Sequence, residues 1–191
     1  MAQLQSTAQV GRAFEAMVAR YLRAHGFEVI EASERLDRSA KVDLLVSSPK
    51  GRRFLLQLTL ERREEVVLAR RDDGGLDDRP GRTSKLRAWQ RLQESGTVAA
   101  LLKQEGCAEW VGAAPLFFYA DGWFGSIRSA LENNEELPDE LGRFLIREML
   151  AAANSSAPAV LWHIRQARKG AKVAVDLFEA ALYQEIRLSW R

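Results

Sequence analysis

The 191-residue sequence predicts an α/β protein in which one helix precedes three strands and a further helix and strand follow. Two observations predict this αβββαβ order. Apolar residues recur at three- and four-residue spacings over residues 7–25, as they do along the buried face of a helix. Short apolar runs of strand length then follow over residues 27–30, 41–47 and 53–60.

Turn residues separate these segments where the prediction requires them. His25-Gly26 ends the first helix, because glycine readily adopts the left-handed conformation of a helix terminus. The charged segment from Glu31 to Arg38 is expected to be a turn between the first two strands. Residues 48–51 (Ser-Pro-Lys-Gly) are typical of a hairpin turn between the second and third strands.

The middle of the chain is less regular. A short strand over residues 65–69 and a loop over 71–82 are predicted, since this region is dense in charge and contains glycine and proline turns. Helical patterning resumes over residues 83–105 with a break near Ser95-Gly96, and a strand is predicted over 115–120.

The last third of the sequence favours helices. They are predicted near residues 123–132, 138–153 and 172–188, whereas residues 159–165 fit either a strand or a helix. There is no internal repeat and no convincing linker. A single domain is therefore predicted over residues 1–191. Its core is predicted over residues 7–122, and a C-terminal helical extension over residues 123–191.

Composition narrows the classes of function. The hydrophobic fraction of 47% and the charged fraction of 28% are typical of a soluble globular protein. No apolar run approaches the roughly 20 residues of a membrane span, and the first residues lack a signal-peptide pattern. Because the single cysteine, Cys107, cannot form an internal disulfide, a cytoplasmic location is predicted. One cysteine and two histidines argue against a zinc site, so a catalytic metal would be a hard cation bound by carboxylates.

The charge distribution leaves two interpretations open. The net charge is only +2, but residues 1–60 carry nine Lys/Arg against six Asp/Glu, and residues 143–191 carry eight against four. These flanks either form a basic face for a polyanion or are ordinary solvated surface.

Polar residues interrupt the second and third apolar strands. Side chains alternate along a strand, so Lys41 and Asp43 are predicted to share one face, and Gln57 and Thr59 share one face of the next strand. If the hairpin pairs in register, Asp43 and Gln57 lie side by side. Burying a carboxylate and an amide costs several kcal/mol unless they find partners or a metal. These residues are therefore predicted to form a site.

This order of elements, with Asp43 followed by Gln57-Leu58-Thr59, resembles the PD-(D/E)XK nuclease superfamily. The resolvase-like and restriction-endonuclease-like branches are the most similar. Members carry a glutamate on the first helix, an aspartate on a hairpin and (D/E/Q)-x-K on the next strand. The matching positions here are Glu15, Asp43 and Gln57. The resemblance covers roughly residues 8–60 and implies an αβββαβ core with a mixed sheet and additional C-terminal helices.

The resemblance also implies a chemistry and a partner. Mg²⁺ would be held by Asp43 and Gln57, with Glu15 in support, for hydrolysis of nucleic acid, with DNA favoured over RNA. Thr59 stands where the family has its lysine, so the positive charge at that position is missing. Lys41 and Lys85 are the candidates to replace it.

Three classes of function stay open at this point: a metal-dependent nuclease, a catalytically inactive nuclease-fold module that binds nucleic acid or acts in protein–protein interaction, and a helical adaptor for a partner protein. A homodimer or a protein partner is also left open. Each site residue has a structural alternative as well. Asp43 would then anchor a turn, Glu15 would be a solvated side chain, and Gln57 and Thr59 would lie half-exposed on an open sheet.

Overall fold

The structure, a computed structural model, describes residues 7–60, 88–89, 91–152 and 159–164. The predictions for residues 65–69, 71–82 and 172–188 lie outside this part of the chain. The described residues form helices α1 (Thr7–Ala24), α2 (Thr97–Gln104), α3 (Phe124–Glu132) and α4 (Asp139–Ala152), and strands β1 (Glu28–Glu31), β2 (Leu44–Ser47), β3 (Arg53–Leu60), β4 (Ala114–Asp121) and β5 (Ala159–Ile164).

The five strands form one mixed sheet in the order β1-β2-β3-β4-β5. Strands β1, β2 and β3 are antiparallel neighbours, whereas β4 is parallel to β3 and β5 is parallel to β4. A parallel pair needs a crossover, and helical residues lie between the members of each parallel pair. The α/β class and the αβββ order over residues 7–60 are therefore confirmed. Residues 159–164, which the sequence left between strand and helix, are a strand.

One face of the sheet is covered by α1, α3 and α4. Alternate residues of the strands, among them Leu56 of β3 and Phe118 of β4, are buried there against Phe14 and Met17 of α1 and Leu145 of α4. Residues from both sides of position 122 thus share this first core. No helix in the described part of the chain is long and apolar enough to cross a bilayer.

The opposite face of the sheet carries a smaller, second core. Leu45 of β2 and Leu55 of β3 pack there with Leu102 of α2 and with Trp110, which belongs to a 3₁₀ turn over Ala108–Trp110. Gly96 precedes α2 with a φ of 71°, so the predicted helix break near Ser95-Gly96 is confirmed.

The predicted turns before β1 and between β2 and β3 are also confirmed. Gly26 adopts a φ of 82° after α1, and the N–H of Phe27 donates to the carbonyl of Leu22 at 3.1 Å. At the hairpin tip, the N–H of Gly51 donates to the carbonyl of Ser48 at 2.8 Å.

The segment before β2 differs from the prediction. A strand was predicted from Lys41, but Leu36–Ala40 form a π-helical turn and Lys41 has a left-handed φ of 54°, so β2 begins at Leu44. The reason is that Leu36 and Ala40 are both buried in the second core, which holds this segment in a helical turn. The period-two pattern after Lys41 contains no sign of that distant contact.

Strand β1 comes first in the order of the described sheet, so one of its sides has no neighbouring strand there. Arg23, near the end of α1, reaches this side. Its guanidinium donates to the carbonyl of Val29 at 2.9 Å and lies 3.7 Å from the carboxylate of Glu31.

Candidate functional site

Asp43 and Gln57 lie side by side where β2 meets β3. The N–H of Asp43 donates to the carbonyl of Leu56 at 2.7 Å, which continues the β2–β3 ladder by one residue. The side-chain amide of Gln57 donates through Nε2 to Oδ2 of Asp43 at 2.7 Å. The prediction that the two strands bring these side chains together is confirmed.

The Asp43 carboxylate also replaces a missing main-chain partner. Because the chain turns away from β3 at Lys41, the N–H of Leu58 finds no carbonyl on β2 and donates to Oδ2 of Asp43 at 2.6 Å. Asp43 is only 8% exposed. It therefore ends the β2–β3 ladder, and it also lies on the wall of a cavity.

Asp37, which the sequence analysis did not select, lines the same cavity as Asp43. Burial raises the pKa of Asp43 to about 8, and the negative charges of Glu15 and Asp37 also raise it. The hydrogen bond from the N–H of Leu58 lowers this pKa but does not offset the other effects. Without a bound cation, the Asp43 carboxyl group is therefore mostly protonated at pH 7.

The cavity has a volume of about 360 Å³, within the range of small-ligand sites. It lies between the first half of α1, the end of β1 and the π-helical turn. Five of its lining residues are acidic and two are arginines. The charged lining residues are Arg12, Glu15, Glu31, Glu34, Asp37, Arg38 and Asp43.

Glu15, which the resemblance selected, lines this cavity with Asp43. It is half-buried on α1, and burial raises the pKa of its carboxyl group. The charge of Asp37 acts in the same direction, whereas the guanidinium of Arg12 opposes it. The cavity thus brings together two of the residues that the sequence singled out.

Gln57 supports Asp43 from behind and does not line this cavity. Its Nε2 also lies 3.2 Å from the carbonyl of Leu58, which fixes the orientation of the amide. Its Oε1 is buried and has no hydrogen-bond partner among the described residues. Thr59 is half-buried two residues further along β3, where it is paired with Tyr119.

Lys41 does not occupy the position predicted for it. Because it lies in a left-handed turn and not in a strand, it does not share a strand face with Asp43. Its side chain is exposed, and it is not part of the cavity wall. Its proposed catalytic role stays a prediction, and Lys85 lies outside the described residues.

The turn that carries Asp37 is attached to α2 by polar contacts. Ser33 donates through Oγ to the carboxylate of Glu105 at 2.7 Å, and Arg35 donates to Oε1 of Gln104 at 2.6 Å. Arg35 also lies 3.3 Å from Glu105. These contacts position Asp37 relative to Asp43, although none of the four residues lines the cavity.

The sequence analysis missed Asp37, Arg12 and Arg38. A signal existed for Arg12, which precedes Glu15 by three residues and therefore lies on the same side of α1. No such signal existed for Asp37, because its position depends on a turn that is stabilised by tertiary burial.

Hard cations bind oxygen ligands, and the cavity offers carboxylate oxygens of Asp43 and Glu15, while Oε1 of Gln57, behind Asp43, accepts no hydrogen bond from the described residues. These groups fit Mg²⁺ in kind. In the described ranges, no three His, Cys, Asp or Glu side chains are grouped as metal ligands. The predicted pair, one carboxylate and one amide, is smaller than such a group and stays a prediction.

Comparisons of the chain with protein-family models, with curated proteins and with solved structures find no match.

Proposed function

We propose that this protein processes nucleic acid at the cavity beside Asp43, as a member of the PD-(D/E)XK nuclease-like type. The proposed reaction is Mg²⁺-dependent hydrolysis of a phosphodiester, with DNA as the favoured substrate. Asp43 and Gln57 would hold the cation and Glu15 would support it.

The single observation that carries the proposal is the buried carboxylate of Asp43, which is paired with Gln57 and lies on the wall of a charged cavity. A carboxylate that is only 8% exposed is costly to keep unless it has a partner or a function. The order of helices and strands and the mixed sheet add support, because the resemblance implies both.

A divalent cation bound there would stabilise the negative charge that develops on the phosphoryl oxygens during displacement. The protein's own contribution is to fix the carboxylate. Gln57 and the N–H of Leu58 both donate to Oδ2 of Asp43, so its side chain cannot rotate without losing two hydrogen bonds.

A second candidate function is nucleic-acid binding without hydrolysis, by a nuclease fold that has lost activity. Thr59 favours it, because threonine cannot supply the positive charge that the family lysine provides. The hydrogen bonds that already occupy Oδ2 of Asp43 also favour it. The two candidates differ in whether the protein cuts DNA.

Nicking of supercoiled plasmid in Mg²⁺ or EDTA separates them. We expect weak, Mg²⁺-dependent nicking by the wild type, and a loss of about 100-fold or more in Asp43→Ala and in Asp43→Asn. The asparagine variant keeps a side chain of the same shape, so its loss cannot be attributed to unfolding. Thr59→Lys should raise the rate by about tenfold, since it restores the charge at its usual place.

Glu28→Ala is the matched control, because it removes an exposed carboxylate of β1 that does not line the cavity. Its nicking rate should equal that of the wild type. If neither the wild type nor Thr59→Lys cuts plasmid while the wild type binds DNA, the second candidate replaces the first.

A further inference from the structure

Arg12 is the arginine of the cavity wall for which no ion pair is found within the described part of the chain. It is exposed on α1, three residues before Glu15, and lines the cavity with Glu15 and Asp43. Arg38, the other lining arginine, forms an ion pair with Glu34 at 2.6 Å. Among the described residues, no carboxylate lies within ion-pair distance of Arg12.

The charge balance of the cavity decides what Arg12 can bind. Five acidic residues line the cavity with the two arginines, so an anion entering alone meets a negative wall. A divalent cation beside Asp43 would offset that charge. An arginine at the rim is then free to form the paired N–H contacts that suit a phosphate group.

We propose that Arg12 binds a phosphate of the DNA substrate and that this contact depends on a divalent cation at the Asp43 site. The inference rests on the proposed function and extends it. Thr59 carries no charge, and Lys41 does not line the cavity, so neither residue can neutralise a phosphate within it. Arg12 takes that place from the helix side of the cavity.

The test is binding of a fluorescein-labelled 20-base-pair DNA duplex, measured by anisotropy in Ca²⁺ and in EDTA at several salt concentrations. Ca²⁺ is chosen because it binds oxygen ligands. In Ca²⁺ we expect Arg12→Ala to weaken binding about tenfold and to reduce the slope of log K against log salt by about 0.9, the value for one lost phosphate contact. In EDTA the same substitution should change affinity less than about twofold.

Three comparison variants keep the test specific to this contact. Arg12→Lys should recover part of the affinity, because it keeps the charge and loses the paired geometry. Arg20→Ala removes an exposed arginine of the same helix that does not line the cavity, and it should bind as the wild type does. Arg38→Ala should show a smaller loss than Arg12→Ala, because Glu34 already pairs with its guanidinium.

The outcomes distinguish this inference from the function on which it rests. If the wild type binds the duplex and Arg12→Ala matches it in affinity and salt slope, the Arg12 contact is refuted and the proposed function stands. An equal loss in Ca²⁺ and in EDTA refutes the dependence on the cation. If the wild type binds no duplex at low salt in either buffer, both proposals fail.

Discussion

At the scale of single residues, the surroundings of Asp43 have opposing effects on the pKa of its carboxyl group. Its carboxylate accepts hydrogen bonds from Gln57 and Leu58, which favour the charged form. Burial and the neighbouring carboxyl groups favour the neutral form and prevail, so the pKa of Asp43 rises to about 8. The protein therefore folds with a proton that the unfolded chain releases above about pH 4.

This proton makes stability depend on pH. Because the folded pKa is the higher one, the stabilising contribution is complete below the unfolded pKa and is lost as pH rises through about 8. In EDTA, we expect the free energy of unfolding of the wild type to fall relative to Asp43→Asn by about 1.4 kcal/mol per pH unit between pH 5 and 7.

Urea unfolding of both proteins across this range measures the difference. Asparagine is the suitable comparison, because it occupies the same space and cannot titrate. Parallel stability profiles for the two proteins would show that Asp43 folds in its charged form.

The sequence predicted the meeting of Asp43 and Gln57 because that contact depends on strand alternation and hairpin register, which are local properties. It could not predict Asp37. Asp37 lines the cavity with Asp43 because Leu36 and Ala40, on either side of it in the turn, are buried against the far side of the sheet. Such a contact involves residues that are distant in the chain, and no local pattern records it.

At the scale of elements, α4 packs closely on α1 at Gly142. Gly142 is buried against the ring of Tyr21, and a Cβ atom at this position would overlap three of the ring carbons. The ring is held in place, since its hydroxyl donates to Oδ1 of Asp139 at 2.9 Å and its face stacks on His25 at 4.3 Å. The close approach of the two helices thus requires glycine.

Gly142→Ala should therefore destabilise the protein by about 1–3 kcal/mol, the usual cost of overpacking. The sign of this change in stability is informative, because replacing a helical glycine by alanine ordinarily stabilises a helix by about 0.5–1 kcal/mol. Gly11→Ala is the matched control on α1, where a Cβ atom would meet nothing within 4 Å. Chemical denaturation of both variants should show opposite shifts, and a stabilised Gly142→Ala would contradict the described packing.

The elements that the sequence predicted best are those with a repeated pattern or a glycine at their end. Helix α1 and the turn at Gly26 are examples. The start of β2 was predicted wrongly, because the segment before it is rich in charge and its two buried residues, Leu36 and Ala40, are too few to show a period. Local composition and tertiary burial favoured different structures there, and burial prevailed.

At the scale of the whole molecule, the sheet lies between two cores, and each core packs on one of its faces. Leu145 of α4 is buried in the first core and Leu102 of α2 in the second, on opposite faces of the same strands. Loss of either core would leave one face of the sheet exposed to water, so neither should persist without the other.

We therefore expect one cooperative unfolding transition, and a substitution in either core should shift the whole transition. Leu145→Ala and Leu102→Ala should each lower the free energy of unfolding by about 2–5 kcal/mol, with coincident curves from circular dichroism and tryptophan fluorescence. A variant in which the two signals separate would indicate that the cores unfold independently and would contradict this view.

The contact between Arg23 and Val29 has a consequence for the protein in concentrated solution. An unpaired strand side invites backbone pairing with a second molecule, and such pairing can extend into aggregates. A strand approaching β1 would have to displace the guanidinium from the Val29 carbonyl and approach the charge of Glu31. We therefore expect Arg23 to hinder association of this protein at the side of β1, although it belongs to neither core.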